Sequence, residues 1–227
     1  MDISFQWIKI KENFSAYVSK PAKPKNMGII LLQEIYGVNE SIRKVADSYA
    51  ADGFLVITPD MFWRQEERIE LGYVGDDQKK AKTLMSNTDL DLAVSDIADV
   101  AHYMREHYQI EKIATLGFCF GGLLSYLFAA KEDIADRAVC YYGGRIAEHL
   151  DLANKVNIPI LFHHADQDAA IPLSDVAKIE EKFKDRINAQ FYLYKNTDHG
   201  FNGPGRPGYN QDAAIQSRKH SLEFLTQ

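Results

Sequence analysis

Short apolar runs alternate with amphipathic stretches along most of the chain. Apolar runs bounded by Gly, Pro or polar residues are typical of strands buried on both faces of a sheet. They predict strands at residues 27–32, 54–58, 113–116, 137–142, 159–163 and 189–194. Apolar residues at helical spacing predict helices at residues 40–52, 76–107 with a break near 86–89, 120–130, 173–184 and 210–226.

The beginning of the chain follows a different pattern. Residues 5–10 and 15–19 alternate between apolar and polar side chains, and a polar turn joins them. This predicts an antiparallel hairpin at the edge of the sheet. The later strands alternate with helices, which indicates a mostly parallel sheet flanked by helices on both faces. The predicted fold class is therefore α/β, as one domain over residues 1–227, with residues 61–74 as an irregular surface loop.

Composition narrows the class of protein. Of 227 residues, 46% are hydrophobic, and the formal net charge is −6. The chain has no run of Lys or Arg, which argues against a nucleic-acid partner. The first residues lack a basic segment followed by an apolar one, so we expect no signal peptide. Two cysteines do not form a disulfide framework. We expect a cytoplasmic protein without a cofactor, either a monomer or a weak homo-oligomer.

The longest uncharged stretch, residues 113–130, approaches the length of a membrane span. Gly117, Gly121 and Gly122 interrupt it, however, and divide it into a predicted strand and a predicted helix. We therefore do not expect it to cross a membrane. Between the two elements lies Gly-x-Cys-x-Gly, which is the nucleophile-elbow pattern with Cys119 in place of serine. The alternative is a glycine-rich helix start that carries a buried, inert thiol.

Two further groups follow predicted strands, where parallel sheets place their ligands. Asp168 follows the strand at 159–163, and His199 follows the strand at 189–194. The order nucleophile, acid, histidine is that of an α/β-hydrolase. A thiol is mostly protonated at neutral pH, so a histidine oriented by a carboxylate is needed to activate it. Asp166 is the alternative acid and could instead cap a turn.

Other histidines are assigned no catalytic role. His163 and His164 could suggest a metal site together with the nearby aspartates, but adjacent ligands lack the usual spacing. We therefore predict no metal. The remaining histidines are expected on solvated surface, and Cys140 is expected to be a buried core thiol. The histidines in that group are His102, His107, His149 and His220.

Several motifs together identify the chain as similar to the dienelactone hydrolase (carboxymethylenebutenolidase) family. They are Gln33-Glu34-Ile35-Tyr36-Gly37, Pro59-Asp60-Met61, Gly117-Phe118-Cys119-Phe120-Gly121-Gly122, Tyr141-Tyr142-Gly143, Gln167-Asp168 with Ile171-Pro172, and His199-Gly200-Phe201. They extend over most of the chain, from Gln33 to Phe201. Cysteine at the elbow narrows the resemblance to this family.

The resemblance implies roles for individual residues. Cys119, His199 and Asp168 would form the triad, and Glu34 would accept the thiol proton when substrate enters. The backbone N–H groups of Ile35 and Phe120 would form the oxyanion hole. Attack on a lactone carbonyl would give a thioester, which water hydrolyses with the histidine as base.

The chain departs from the family pattern where a substrate carboxylate would bind. The resemblance implies an arginine shortly after the histidine, and here the first arginine is Arg206, in a shifted position. Arg64 is a second candidate. Tyr36 and Phe201 are further candidates to line the substrate pocket. The prediction is a hydrolase of a small lactone or ester, with a thioesterase, a general carboxylesterase or a non-catalytic redox sensor as alternatives.

Overall fold

A computed structural model describes residues 2–227 of the chain. Eight strands form a mostly parallel sheet in the order β1-β2-β4-β3-β5-β6-β7-β8. The strands are β1 (Ile3–Lys9), β2 (Ser15–Pro21), β3 (Met27–Leu32), β4 (Leu55–Pro59), β5 (Lys112–Phe118), β6 (Arg137–Tyr141), β7 (Ile160–Ala165) and β8 (Ala189–Tyr194). The helices are α1 (Glu40–Ala51), α2 (Gly75–Ser86), α3 (Leu90–Tyr108), α4 (Phe120–Lys131), α5 (Leu173–Phe183) and α6 (Gln211–Thr226). The predicted fold class is confirmed.

The chain divides into two compact units, residues 1–115 and 116–227. In the first unit, β1 pairs antiparallel with β2, which confirms the predicted edge hairpin. β2 pairs antiparallel with β4, and β3 pairs parallel with β4. Every residue of β4 is buried, because strands inside such a sheet are covered on both faces.

Helix boundaries in the first unit follow local capping chemistry. The Asn39 side chain accepts a hydrogen bond from the N–H of Ile42 and so begins α1. The predicted break in the long helical stretch is confirmed, since α2 ends at Ser86 and Asp89 caps the start of α3. Among residues 2–227, no helix combines the length and the apolar character that a membrane crossing requires.

In the second unit, β6 pairs parallel with β7, and β7 pairs parallel with β8. Helix α4 is buried over almost its whole length, and this explains the uncharged stretch in the sequence. Sequence analysis missed a 3₁₀ segment, Ile146–Lys155, which packs against α4 and α5. Its helical residues are interrupted at His149, so its apolar positions show no regular α-helical period.

Candidate active site

Cys119 is the single residue between the end of β5 at Phe118 and the start of α4 at Phe120. Its backbone has φ 56° and ψ −113°, which is a conformation that non-glycine residues rarely adopt. Such strain persists only where the surrounding structure enforces it, and it is concentrated at functional sites. The thiol is partly exposed and forms no disulfide. The geometry is that of a nucleophile elbow, as the Gly-x-Cys-x-Gly pattern predicts.

Gly117 permits the sharp turn. A Cβ atom at this position would lie 1.9 Å from the carbonyl oxygen of Gly121, the second residue of α4. No side chain fits at that distance, so a glycine is required for α4 to fold back over β5. The Cys119 N–H donates to the carbonyl oxygen of Tyr141 at 3.0 Å and anchors the elbow to β6.

Asp168 lies in the turn after β7, and its side chain is 1% exposed. One carboxylate oxygen accepts hydrogen bonds from the N–H groups of Ala170 at 2.8 Å and Ile171 at 3.1 Å. The other oxygen lies 2.7 Å from Nδ1 of His199. The backbone therefore fixes the carboxylate, and the carboxylate fixes the tautomer and orientation of the imidazole.

His199 follows β8 and also forms a side-chain hydrogen bond with Cys119. Because Nδ1 faces Asp168, Nε2 is the ring nitrogen left for the thiol. Burial lowers the pKa of His199, but the charge of Cys119 and the hydrogen bond to Asp168 outweigh it and raise the pKa to about 10. The imidazole therefore holds its proton at neutral pH, next to the Cys119 side chain, and can donate that proton to a leaving group.

The Tyr142 ring packs against the imidazole of His199. The two ring centroids lie 5.1 Å apart, with 60° between the ring planes. Tyr142 is buried and has φ 35°, a second strained residue directly after β6. Phe201 packs edge-on against Tyr142 at 5.3 Å and is itself fully buried. Phe201, a candidate pocket residue, thus packs against Tyr142, which in turn packs against His199.

Asp166, the alternative acid, has a different role. Its carboxylate accepts a hydrogen bond from the Thr197 N–H at 3.2 Å and lies 3.8 Å from the Lys195 ammonium group. It therefore ties the β7 turn to the loop that carries His199. The structure brings together Cys119, His199 and Asp168, and Asp166 supports the loop from outside that group.

Both ring nitrogens of His163 are engaged in a buried network. Nδ1 lies 2.8 Å from the Tyr194 hydroxyl, and Nε2 lies 2.9 Å from the Ser221 hydroxyl. The network continues from Ser221 to the Tyr141 hydroxyl at 2.7 Å and from Tyr194 to Nδ1 of His220 at 2.9 Å.

The surface assignment of His220 is incomplete, because its half-buried ring also stacks on Tyr192 with 3.7 Å between centroids. Helical periodicity places His220 on α6 but cannot show that a strand tyrosine lies against it. Cys140 is fully buried in β6, as expected of a core thiol.

Arg206 lies close to His199. Its guanidinium carbon is 2.4 Å from the place that a Cβ on Gly200 would occupy, so the side chain covers the backbone next to His199. Gly200 has φ +77°, and the absence of a side chain there leaves the space that Arg206 fills.

The remaining candidates belong to the first unit. Glu34, Ile35 and Tyr36 lie in the turn directly after β3. Tyr36 is buried and packs edge-on against Tyr73 at 4.7 Å. Arg64 directs both terminal nitrogens at the buried carboxylate of Asp96, in a bidentate ion pair.

The sequence profile of the Dienelactone hydrolase family matches residues 14–227. The chain belongs to the dienelactone hydrolase family. The carboxymethylenebutenolidase of Pseudomonas putida is 32% identical to this chain, and the aligned region covers 93% of this chain and 90% of the Pseudomonas protein. Carboxymethylenebutenolidase 1 of Cupriavidus pinatubonensis is 28% identical over 93% of this chain and 91% of its own length.

Two solved structures show the same architecture. A crystal structure from Klebsiella pneumoniae subsp. pneumoniae, assigned as a dienelactone hydrolase, has a TM-score of 0.89 and 27% identity and covers all of both chains. The dienelactone hydrolase-like promiscuous phosphotriesterase P91 from metagenomic libraries has a TM-score of 0.77 over 99% of this chain and 98% of its own, at 17% identity. At 17% identity, the similarity to P91 is evidence for a shared fold and not for a shared function.

Proposed function

We propose that the protein hydrolyses a small lactone or carboxylic ester through a thioester on Cys119. The observation that carries this proposal is the continuous contact from the buried Asp168 carboxylate through His199 to a thiol held in a strained elbow. Carboxymethylenebutenolidase relatives and membership of the dienelactone hydrolase family support lactone or ester bonds as the target.

The chemical steps follow from the positions of the protons. The Cys119 thiolate attacks the carbonyl carbon, and the π electrons move onto the carbonyl oxygen. The N–H groups of Ile35 and Phe120 stabilise that oxyanion, the second of them at the N-terminus of α4. Collapse of the intermediate breaks the bond to the ring or alkoxy oxygen, and His199 gives that oxygen its proton. The product of this half-reaction is a thioester and a free hydroxyl group.

The second half-reaction releases the enzyme. His199, now neutral, takes a proton from water, and the resulting hydroxide attacks the thioester carbonyl. Collapse expels the thiolate and leaves the carboxylic acid product. In this proposal the resting thiol keeps its proton, Glu34 accepts that proton when substrate binds, and Glu34 returns it to the released thiolate after product forms. Protection of the thiol between turnovers would limit its oxidation.

The substrate carries a carboxylate in this proposal, and Arg206 is the preferred group to bind it. Its guanidinium lies over the residue next to His199, and Arg64 lies in the first unit in a bidentate ion pair with Asp96. Arginine presents a planar fork that suits a carboxylate. Tyr36 and Phe201 are retained as candidates that shape the pocket.

Two alternatives make different predictions. A thioesterase or general carboxylesterase would use the same residues on another acyl group. A redox sensor would modify Cys119 once per molecule and would not need Glu34. We further infer that residues 1–227 act as one hydrolase domain, as a monomer or weak homo-oligomer, without nucleic acid. Two free cysteines fit a reducing, cytoplasmic compartment.

The test is steady-state hydrolysis of dienelactone, a simple lactone and p-nitrophenyl acetate. Wild type, Cys119→Ala and the matched control Cys140→Ala are compared, since the control removes the other thiol from the core. We expect turnover in wild type and the control, loss of turnover in Cys119→Ala, and a thioester adduct on Cys119 in rapidly quenched samples. Turnover that survives Cys119→Ala would refute the mechanism.

A further inference from the structure

Two buried side chains of the first unit bind the loop that follows β4, and the proposed mechanism uses neither of them. They are Gln33 and Asp60, which are 0% and 1% exposed. Each belongs to one of the motifs that identify the family. Gln33 directly precedes Glu34, and Asp60 directly follows β4. We call residues 61–71 of this loop the strap.

Asp60 fixes the first part of the strap. One carboxylate oxygen accepts from the Phe62 N–H at 3.1 Å, and the other accepts from the Arg68 N–H at 2.5 Å. The Asp60 N–H donates to the carbonyl oxygen of Ser15 on β2, so the carboxylate is itself anchored to the sheet. Arg68 has φ 54°, a strained value that this hydrogen bond helps to maintain.

Gln33 connects the strap to the segment Glu34–Tyr36. Its side-chain oxygen accepts from the Met61 N–H at 3.1 Å, and its side-chain nitrogen donates to the carbonyl oxygen of Glu34 at 3.3 Å. A single buried amide therefore orients the beginning of the strap and the peptide group between Glu34 and Ile35.

The far end of the strap returns to the same segment. The Leu71 N–H donates to the carbonyl oxygen of Tyr36 at 3.0 Å, and Gly37 forms an antiparallel bridge with Glu70. A Cβ on Gly37 would lie 1.9 Å from the carbonyl oxygen of Ile69, which shows how closely the strap approaches. The segment Glu34–Tyr36 is thus held from both ends of one loop.

We propose that Gln33 and Asp60 are positioning residues that act through the strap to hold the segment Glu34–Tyr36 in its catalytic geometry. The inference rests on the proposed function, which assigns the oxyanion N–H to Ile35 and the proton acceptor to Glu34. A donor displaced by a fraction of an ångström stabilises the oxyanion less, so the loss falls on kcat more than on substrate binding.

The protonation state of the Asp60 carboxyl group changes within an accessible pH range. Burial raises its pKa to about 6, although the N–H groups of Arg68 and Phe62 and the Arg68 charge oppose the rise. Glu67 is the other charged group that faces it and favours protonation. A protonated carboxyl group is a weaker acceptor for two N–H groups, so the strap should loosen as the pH falls through this value.

The kinetic test compares wild type, Asp60→Asn and Gln33→Leu with the control Asp47→Asn. Asp47 is a partly buried carboxylate of the same unit that binds the Tyr17 and Ser19 hydroxyls on β2. For p-nitrophenyl acetate at pH 8 we expect kcat to fall about tenfold in the first two variants, with KM within about twofold and the control unchanged. The ratio of wild-type to Asp60→Asn kcat should approach one below pH 6. An unchanged kcat, a ratio constant with pH, or an equal loss in the control would overturn the proposal.

Hydrogen exchange of the wild-type protein provides a second measurement that needs neither folding of a variant nor turnover. After correction for intrinsic rates, protection of the Arg68 and Leu71 N–H groups should fall together as the pH drops through about 6. Protection that stays constant would overturn the proposal. If the hydrolase assignment itself fails, wild type shows no Cys119-dependent turnover, and exchange still decides whether Asp60 holds the strap.

Discussion

The Tyr142 ring packs edge-on against the imidazole of His199, with 5.1 Å between the ring centroids. We expect Tyr142→Leu to lower kcat/KM about tenfold, because the imidazole loses the aromatic ring that limits its rotation. Tyr142→Phe keeps the ring and should retain most of the activity. Kinetics on one ester, with circular dichroism to confirm folding, would check this. Equal losses in both variants would show that the hydroxyl group, and not the ring, is needed.

The two aspartates of the β7 turn allow a direct comparison. Asp168→Asn should lower kcat by about 10³- to 10⁴-fold, because an amide cannot hold His199 in the required tautomer. Asp166→Asn leaves that contact intact and should cost less than about tenfold. Steady-state kinetics of the two variants under identical conditions would measure the difference. The reverse order of effects would assign the acid to Asp166.

The protonation of His199 depends on Cys119. The charge of Cys119 is the largest influence that raises the pKa of this histidine, which stands at about 10. In Cys119→Ala, burial still lowers the pKa and Asp168 alone opposes it, so the pKa should fall. Imidazole ¹⁵N chemical shifts followed from pH 5 to 11 would give both values. A pKa unchanged by the substitution would mean that Asp168 accounts for the whole rise.

The elements that sequence analysis predicts correctly are those with local signals. A short apolar run predicts β8, and polar residues 86–89 interrupt the helical pattern between α2 and α3, where the structure shows Asp89 capping α3. The grouping of Cys119, Asp168 and His199 is also foreseeable in outline, because each follows a strand, and parallel strands place such residues at one edge. The choice of Asp168 over Asp166 rests on sequence context alone, and the hydrogen bond to His199 supports it.

Residues whose roles depend on distant partners are not foreseeable in this way. The pairing of β7 with β8 brings Tyr194 to His163, and the packing of α6 against β7 brings Ser221 there, although both residues lie far from His163 in sequence. The role of Asp60 likewise depends on the irregular path of the strap, which has no periodic pattern. Pairs of buried polar groups that lie on different elements leave no signal in a single sequence.

The elbow can be tested through Gly117. Gly117→Ala would place a methyl group within 1.9 Å of the Gly121 carbonyl oxygen, and both atoms belong to elements buried in the core. We expect a loss of stability of at least about 3 kcal/mol or failure to fold, because backbone must move to relieve the clash. Gly144→Ala is the matched control, since a Cβ there meets no atom within 4 Å. Urea unfolding of both variants measures the difference, and equal stability would contradict the crowding at the elbow.

We expect the buried His164 to limit the stability of the protein in acid. This histidine is 2% exposed, and within residues 2–227 neither of its ring nitrogens has a hydrogen-bond partner. Burial lowers its pKa to about 4, against the charge of Asp168, which raises it. The native state therefore keeps this ring neutral, whereas the unfolded chain binds a proton below its ordinary pKa of about 6.5. Stability is fully present above pH 6.5 and is lost as the pH falls from there towards 4.

His164→Phe removes this proton uptake and fills a similar volume. Relative to wild type, the variant should gain stability as the pH falls from 6.5 to 4, on the order of 3 kcal/mol at the lower end. His163→Phe is the contrast, because it breaks the bonds to Tyr194 and Ser221 and should destabilise the protein even at pH 8. Urea unfolding at a series of pH values compares them. A difference between His164→Phe and wild type that does not change with pH would show that His164 titrates alike in both states, and that its burial does not limit acid stability.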